Sequence, residues 1–259
     1  MLDFLCQLAA DAKARVASGY YTYPRKANPV VVSLNHAISN RQNNPVIAEI
    51  KVASPSKGTI RENVDPGAIA QAMARGGAVG ISVLTEPKHF HGSLENLVRT
   101  RAAVELPILM KDIVISPVQL AAAAQTGANA ILLIQALFDR EYCQLTLAQM
   151  IADAHALKLE VLLETHNADE FRRAVASDAD LVGINNRDLA FLQVDLNVTK
   201  QVLKEYSAGG KVVVSESGID SPSNLRFLRG CGARGFLIGG AVMRADNVEL
   251  KVKEFVNAK

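Results

Sequence analysis

Short apolar runs alternate with amphipathic stretches from about residue 45 to the end of the chain. Each run is continuously apolar, which is typical of strands buried on both faces of a parallel sheet. Eight strands are predicted, at 46–51, 80–84, 108–112, 130–134, 160–164, 181–185, 212–216 and 235–238. Helices are predicted after them, at 65–76, 94–103, 117–126, 139–157, 169–177, 196–204, 222–231 and 247–256. This alternation predicts parallel strands joined by crossover helices.

Proline and glycine mark the ends of several predicted helices. Asp65-Pro66 and Ser116-Pro117 each place a capping side chain before a proline in the first turn. Gly76-Gly77, Gly127 and Gly232 are expected to end helices. Asp139-Arg140-Glu141 is interpreted as the solvated start of the helix at 139–157.

The number of strand–helix units and the length of the chain point to one closed barrel. A chain of 259 residues has the usual size of a (β/α)8 TIM barrel. An open, doubly wound sheet is the alternative, but it normally carries a glycine-rich turn after its first strand. Here that strand runs into Lys51-Val-Ala-Ser-Pro-Ser-Lys-Gly58. We therefore predict a single α/β barrel domain over 1–259, preceded within 1–44 by helical patterns at 2–18 and 33–41.

Composition excludes several classes of function. With 49% hydrophobic and 21% charged residues, the chain can bury a large core, and it has no apolar run long enough to cross a membrane. A net charge of +2, without a basic run, argues against nucleic acid as a partner. No secretory signal is recognised, so a cytoplasmic location is expected. Cys6, Cys143 and Cys231 lie too far apart for a paired zinc or redox motif.

Polar residues stand at the carboxyl ends of five predicted strands, where the catalytic groups of such barrels lie. These residues are Glu49, Lys51, Lys111, Asp112, Glu164, Asn185, Arg187, Glu216 and Ser217. Glu49 and Lys51 are two apart on a strand, so their side chains share one face. Neighbouring buried carboxylates and ammonium groups shift each other's pKa values. One such pair alone could simply be a solvated strand end without a function. The presence of Lys111 and Glu164 at equivalent strand ends instead favours a site for proton transfer.

Small residues follow the last two strands. Ser215-Glu-Ser-Gly-Ile219 and Ile238-Gly-Gly-Ala241 could hold a phosphate on backbone N–H groups at a helix amino terminus. A tight turn would explain Gly239-Gly240 alone, but the two adjacent segments together favour phosphate. His89 and His91 could ligate a metal, but no third ligand has a matching spacing, so a loop that covers the substrate is preferred.

Several motifs together resemble the indole-3-glycerol-phosphate synthase family over nearly the whole chain. Ala48-Glu-Ile-Lys51 and Ala53-Ser-Pro-Ser-Lys-Gly58 resemble its signature, and the other motifs follow in the family's order. They are Ser82-Val-Leu-Thr-Glu86 with Phe90-His-Gly-Ser93, Pro107-Ile-Leu-Met-Lys-Asp112, Leu163-Glu-Thr-His166, Gly183-Ile-Asn-Asn-Arg-Asp-Leu189 and Val214-Ser-Glu-Ser-Gly-Ile219.

The resemblance implies a carbon–carbon lyase of tryptophan biosynthesis. The reaction would be ring closure of 1-(2-carboxyphenylamino)-1-deoxyribulose 5-phosphate, with loss of carbon dioxide and water, to indole-3-glycerol phosphate. No cofactor or metal is expected, and the partner is this small sugar phosphate. A monomer or weak homodimer is expected, and association with other enzymes of the tryptophan pathway is left open.

The same resemblance assigns roles to residues. Lys111 would be the general acid that protonates the ribulose carbonyl, and Glu164 would serve the later dehydration as acid or base. Lys51 and Glu49 would bind and polarise the substrate, while Asn185 would hydrogen-bond its hydroxyl groups. Arg187 and Glu216 would order the site as a pair, and Phe90 would pack on the anthranilate ring. The candidates for binding substrate or phosphate are Ser54, Phe90, Arg187, Glu216, Ser217, Gly218, Gly239 and Gly240. The helices within 1–44 would help to cover the barrel mouth.

Three positions depart from the family's usual pattern. Val52 stands where arginine is common, which removes a positive charge beside the first strand's loop. Ile113 replaces a phenylalanine near the substrate ring. Gly240 stands where glutamate or serine is more usual, so only its backbone N–H can contact phosphate.

Two rival functions fit a barrel with a phosphate site. Another phosphate-binding enzyme, such as phosphoribosylanthranilate isomerase or a sugar-phosphate lyase, is the first, but that isomerase would use an Asp/Cys pair rather than lysine and glutamate. The second is a non-catalytic barrel that binds an anionic metabolite or a partner subunit. Lys111 and Glu164 argue against it, because phosphate binding alone requires neither.

Overall fold

A computed structural model describes residues 3–23, 30–188 and 191–259. Leu2, at the predicted start of the first helix, and Leu189, the last residue of the motif that begins at Gly183, lie outside these ranges. The helices are α1 Phe4–Ala17, α2 Leu34–Ser39, α3 Pro66–Arg75, α4 Pro87–Phe90, α5 Leu94–Ala103, α6 Pro117–Thr126, α7 Gln135–Asp139, α8 Leu147–Ala156, α9 Ala168–Val175, α10 Asn197–Glu205, α11 Pro222–Gly230, α12 Gly240–Arg244 and α13 Val248–Val256. The strands are β1 Val46–Ile50, β2 Ala53–Ser54, β3 Gly58–Thr59, β4 Gly80–Leu84, β5 Ile108–Lys111, β6 Ala130–Ile134, β7 Glu160–Thr165, β8 Leu181–Asn185, β9 Val212–Glu216 and β10 Gly235–Ile238.

Eight of the strands form a closed parallel barrel. The order is β1, β4, β5, β6, β7, β8, β9 and β10, and β10 pairs back with β1. β2 and β3 form a separate antiparallel hairpin after β1. The predicted (β/α)8 barrel is confirmed, and the open sheet is wrong. Among the described residues, no helix is both long and apolar enough to cross a membrane.

The barrel strands bury both faces, as their continuous apolar runs predicted. On β6, Ile131 and Leu133 pack outward against the helices, whereas Ala130, Leu132 and Ile134 belong to the cluster that fills the barrel. The predicted helix starts are confirmed, because Asp65 accepts from the Gly67 N–H and Ser116 forms a capping box with Gln119. Because side chains alternate along each strand, residues two apart point into the barrel together.

The helix predicted at 139–157 is wrong: two helices, α7 and α8, occupy this region, separated by residues 140–146. Asp139 ends α7 instead of starting a helix, and it accepts a hydrogen bond from Gln135 in the preceding turn. Glu141 has a φ of 56°, which a right-handed helix cannot contain. Thr146 then caps α8 in a capping box with Gln149.

The two amino-terminal helices lie at opposite ends of the barrel. Phe4 and Leu8 of α1 line the cavity at the carboxyl ends of the strands. In contrast, the first N–H groups of α2, from Leu34 and Asn35, donate to the carboxylate of Glu160 at the start of β7. The expectation that this whole extension covers the mouth is therefore wrong for α2, which closes the amino-terminal end.

Candidate active site

A cavity of about 470 Å³ opens at the carboxyl ends of the barrel strands. Its lining contains every residue selected from the sequence as catalytic or substrate-binding. These residues are Glu49, Lys51, Ser54, Phe90, Lys111, Glu164, Asn185, Arg187, Glu216, Ser217, Gly218, Gly239 and Gly240. They come from the ends of different barrel strands and from the segments that follow those strands, so the closed barrel brings them together.

Lys111 lies at the centre of the cavity's charged groups. Its Nζ is 3.0 Å from Glu164 Oε2 and 3.1 Å from Glu216 Oε2. Glu49, Lys111, Glu164 and Glu216 project from β1, β5, β7 and β9, which are alternate strands of the barrel. Alternate strands of such a barrel contribute to one layer of inward side chains. These four residues therefore form one layer of inward side chains near the mouth, in which one ammonium group lies among three carboxylates.

The layer holds its groups in different states of protonation. Burial alone would lower the pKa of Lys111, but Glu164, Glu216 and Glu49 raise it above the ordinary lysine value. Burial alone would raise the pKa of Glu164, yet Lys111 and His166 hold it well below the usual range. Burial, with the charges of Glu164 and Glu49, raises the pKa of Glu216 to about 7 against the opposing effect of Lys111. At neutral pH, Lys111 is thus a cation, Glu164 an anion and Glu216 a group that can exchange a proton.

Glu49 forms a second ion pair at the end of β1. Its Oε1 is 2.6 Å from Lys51 Nζ, as expected for side chains two apart on one strand face. Glu49 Oε2 and Glu216 Oε1 are buried without a hydrogen-bond partner among the described residues. Unsatisfied buried carboxylate oxygens are costly in a folded protein. They are therefore candidates for receiving hydrogen bonds from a bound ligand.

Two glycines provide room for the carboxylates of Glu216 and Glu49, because they have no side chain. A Cβ on Gly183 of β8 would lie 2.3 Å from Glu216 Oε1, and one on Gly239 would lie 2.4 Å from Glu49 Oε1. Any other residue at either position would move the neighbouring carboxylate. Neither glycine has a positive φ that would require glycine for the backbone alone.

Arg187 connects two loops above the cavity. Its Nη1 donates to Ser56 Oγ and to the carbonyl oxygen of Leu192, while its backbone N–H donates to Asn185 Oδ1. The expected pairing of Arg187 with Glu216 is not seen among the described residues, because Glu216 faces Lys111 instead. Arg187 thus ties the segment near the β2–β3 hairpin to the loop after β8.

Backbone geometry suits an anion at the side formed by β9 and β10. Ser217 and Gly218 have consecutive φ values of 66° and 79°, a conformation that turns the chain sharply after β9. Gly239 and Gly240 begin α12, which has no side-chain cap. The first N–H groups of a helix lack partners within the helix and attract anions. Arg244 also lines the cavity on this side, where its guanidinium pairs with Asp220 at 2.9 Å.

Comparison with known proteins identifies a family for the chain. The model of the family described as indole-3-glycerol phosphate synthase matches residues 8–255. The chain belongs to this family. A synthase of this name from Exiguobacterium sibiricum is 46% identical over 202 residues, which cover 78% of this chain and 76% of that protein. One from Azospirillum brasilense is 38% identical and covers 96% of this chain and 97% of its own length.

Solved structures with less similar sequences share the fold. A thiamine phosphate pyrophosphorylase from Pyrococcus furiosus superposes with a TM-score of 0.58 at 16% identity, covering 86% of this chain and 96% of its own. At this identity the likeness concerns the barrel alone. The family assignment therefore rests on the sequence relatives and the family model.

An apolar wall, of which the sequence indicated only Ile113, lines the same cavity as the charged layer. Its members lie on α1 and around β5 and β6, and they are Phe4, Leu8, Ile113, Leu132 and Ile134. Strand alternation could have predicted Leu132 and Ile134, because both point into the barrel near its mouth. Sequence reasoning missed Phe4 and Leu8, since it gave no register for α1. Ile113 lies in the wall itself, where the synthase family usually has phenylalanine.

A buried polar network fastens α1 to the mouth of this synthase barrel. Arg15 Nη1 lies 2.7 Å from Glu86 Oε1, and Arg15 Nη2 lies 3.5 Å from Asp112 Oδ1. Tyr21 and Thr85 donate to Asp112 Oδ2. Glu86 also caps α4, the helix that carries Phe90 into the cavity. The sequence motif containing His89 is structural as well, because His89 Nε2 is 2.7 Å from Asp11 Oδ2 on α1.

Replacing the single side chain of Arg15 with methionine should strongly destabilise the fold. It would leave two buried carboxylates without their cation, and such losses cost about 3–5 kcal/mol. Urea unfolding of both proteins would measure the change in the free energy of unfolding. Arg99→Met is the matched control, because its pair with Asp65 is exposed and should be worth at most about 1 kcal/mol. Equal losses in the two variants would contradict a stabilising role for the network.

Proposed function

We propose that this chain closes the indole ring of its substrate, 1-(2-carboxyphenylamino)-1-deoxyribulose 5-phosphate, as a carbon–carbon lyase. Carbon dioxide and water leave, and indole-3-glycerol phosphate is the product. Membership of the synthase family supports this reaction. The observation that carries it is the position of Lys111, whose Nζ lies between two buried carboxylates at the centre of the cavity. An ammonium group held in this way suits the protonation of a carbonyl oxygen.

Lys111 is the proposed general acid of the condensation step. The aromatic carbon that bears the carboxylate attacks the ribulose carbonyl carbon, forming the new carbon–carbon bond while negative charge develops on the carbonyl oxygen. A proton from Lys111 converts this oxygen to a hydroxyl group. Loss of carbon dioxide then returns the electron pair to the aromatic ring. A positioned proton donor typically accelerates such a step by about 10²–10⁴-fold.

Glu164 is the proposed acid or base of the dehydration that follows. Ionised at neutral pH, it is ready to take a proton from the ring carbon beside the new hydroxyl group. Lys111, once reprotonated, donates a proton to that hydroxyl, which leaves as water. Glu216, with a pKa of about 7, is placed to return a proton to Lys111 across 3.1 Å. Lys51 and Glu49 hold the substrate, and Asn185 hydrogen-bonds its hydroxyl groups.

The two ends of the cavity suit the two ends of this substrate. The apolar wall with Phe90 would pack on the anthranilate ring. Phosphate would bind the backbone of Ser217, Gly218, Gly239 and Gly240, with Ser54 nearby on the hairpin. A substrate anchored at both ends must fold, and this brings its aromatic carbon towards the carbonyl. Glu164 and Glu216 are buried, so their charges act in surroundings of low dielectric constant, where charged contacts are stronger than in water.

Indole fluorescence tests the function directly. The purified protein should produce an indole signal when mixed with the carboxyphenylamino-deoxyribulose phosphate, without added metal or cofactor. Turnover of phosphoribosylanthranilate instead would favour the isomerase. Binding of the sugar phosphate by calorimetry, without turnover of either compound, would favour the non-catalytic barrel.

We also propose that the protein acts in the cytoplasm as a monomer or weak homodimer. Its most exposed large apolar side chains are Val31, Phe191 and Leu250, which lie in three different parts of the described chain. Single exposed apolar residues are ordinary on a monomer surface. Light scattering at several protein concentrations would measure the assembly state.

A further inference from the structure

His166 lies beside Glu164, one of the four residues of the charged layer, and contacts two carboxylates. It follows Glu164 by two residues, at the end of β7, and its side chain is 12% exposed. Nε2 is 3.2 Å from Glu164 Oε1, and Nδ1 is 3.4 Å from Glu170 Oε2. The backbone N–H of His166 also donates to Glu170 Oε2 at 2.8 Å. The ring therefore bridges a carboxylate of the cavity and one on α9.

This arrangement favours a charged imidazole. Ionised carboxylates have no proton to donate, so a ring with both nitrogens facing carboxylates is best matched when both nitrogens carry a proton. Nε2 and Glu164 Oε1 are close enough for an ion pair but are not aligned for a hydrogen bond. Their attraction therefore comes from the opposite charges of the two groups. Burial would lower the pKa of His166, but Glu164 and Glu170 raise it to about 9. Lys111 on β5 and the Asn185 amide on β8 face Glu164, and the Asn167 amide donates to Glu170.

The Glu164 carboxylate is thereby held from both sides. Oε2 faces Lys111 Nζ, and Oε1 faces His166 Nε2. Glu164 lines the cavity, whereas His166 does not. Glu170 is itself fixed by the Asn167 amide, which donates to its Oε1 at 2.7 Å. A chain of contacts thus runs from α9 through the ring to the reacting carboxylate.

We propose that His166 is a positioning residue, which fixes the orientation of the Glu164 carboxylate with Glu170 as its anchor. The inference rests on the proposed function, since it concerns the dehydration assigned to Glu164. Without the ring, the carboxylate could turn away from the substrate while Lys111 still binds its other oxygen. The proposal therefore predicts a loss in the chemical step, with substrate binding preserved.

His166→Gln tests the proposal, because glutamine keeps a donor but cannot carry the charge. We expect kcat to fall by about 10–100-fold, the scale of a misplaced catalytic group, with little change in KM. The acid limb of the kcat profile should move to higher pH, because a cation that lowers the pKa of Glu164 is lost. His155→Gln is the matched control, since its ring pairs with Asp180 at 2.9 Å on the outer surface. Its kcat and pH profile should match those of the parent.

Two further measurements distinguish a failure of the positioning role from a failure of the proposed function. Glu170→Gln should reproduce the loss in kcat without changing any cavity residue. Nitrogen-15 NMR of the histidine rings in the parent should show the His166 imidazolium at pH 7, whether or not the variants fold. An active parent with unchanged kcat in the folded His166→Gln or Glu170→Gln protein, or a neutral ring at pH 7, would overturn the proposal. An inactive parent would instead count against the proposed function.

Discussion

Replacing Lys111 with methionine is expected to lower kcat by about 10²–10⁴-fold, the usual contribution of a general acid. Methionine approximates the length and volume of the lysine stem but has no proton to donate to the carbonyl oxygen. The change also leaves Glu164 and Glu216 without the ammonium group that lies 3.0 and 3.1 Å away. The initial rate of indole fluorescence, measured at saturating substrate, gives the effect on kcat.

Lys251→Met is the control for this substitution. Lys251 is similarly shielded and pairs with a glutamate, Glu254, at 2.8 Å, but it lies on α13 outside the barrel. Its replacement should leave kcat unchanged. Circular dichroism and calorimetric binding of the substrate would establish that the Lys111→Met protein is folded and occupied. Full turnover by a folded Lys111→Met protein would exclude Lys111 as the acid.

Most of the barrel could be predicted from the sequence because its signal is local. A strand buried on both faces must be apolar throughout, so the runs that became β4, β6, β8, β9 and β10 were predicted with the bounds that the structure shows. The short helices α4, α7 and α12 were missed, since four or five residues contain too little periodicity. The placement of α2 could not be predicted either, because either end of a barrel can bury Leu34 and Ile38.

The residues selected from the sequence line one cavity, but, apart from Glu49 with Lys51, their contacts with one another were not predicted. Carboxyl ends of strands meet at one mouth, so position alone selected Lys111, Glu164 and Glu216. Which groups touch depends on which strands contribute to the same layer, and Lys111 and Glu216 are separated by 105 residues in the chain. Arg187 was therefore given the wrong neighbour. Partners such as His166 Nε2 depend on side-chain direction, which the sequence pattern does not contain.

The role of Gly183 depends on contacts between side chains, which the sequence pattern does not contain. Its replacement is the second substitution with a large expected effect on kcat. Gly183→Ala should lower kcat by about 100-fold, because its Cβ would come within 2.3 Å of Glu216 Oε1 and a displaced catalytic group costs activity on this scale. The free energy of unfolding should fall by only about 1 kcal/mol, at the low end for overpacking. The atom that must move is the end of a flexible side chain, and the next contact, Glu164 Cα, is at an ordinary 3.4 Å.

Gly230→Ala separates this effect from a general cost of losing glycine. A Cβ on Gly230 meets nothing within 4 Å, and the residue lies in the last turn of α11. Its replacement should leave kcat unchanged and stabilise the fold by about 0.4–1 kcal/mol through the unfolded chain. If Gly183→Ala also kept full kcat, the position of the Glu216 carboxylate would not matter to turnover. If Gly183→Ala lowered the free energy of unfolding strongly but kept a normal kcat, Gly183 would be a packing residue, because the substitution would then disturb the barrel and not the site.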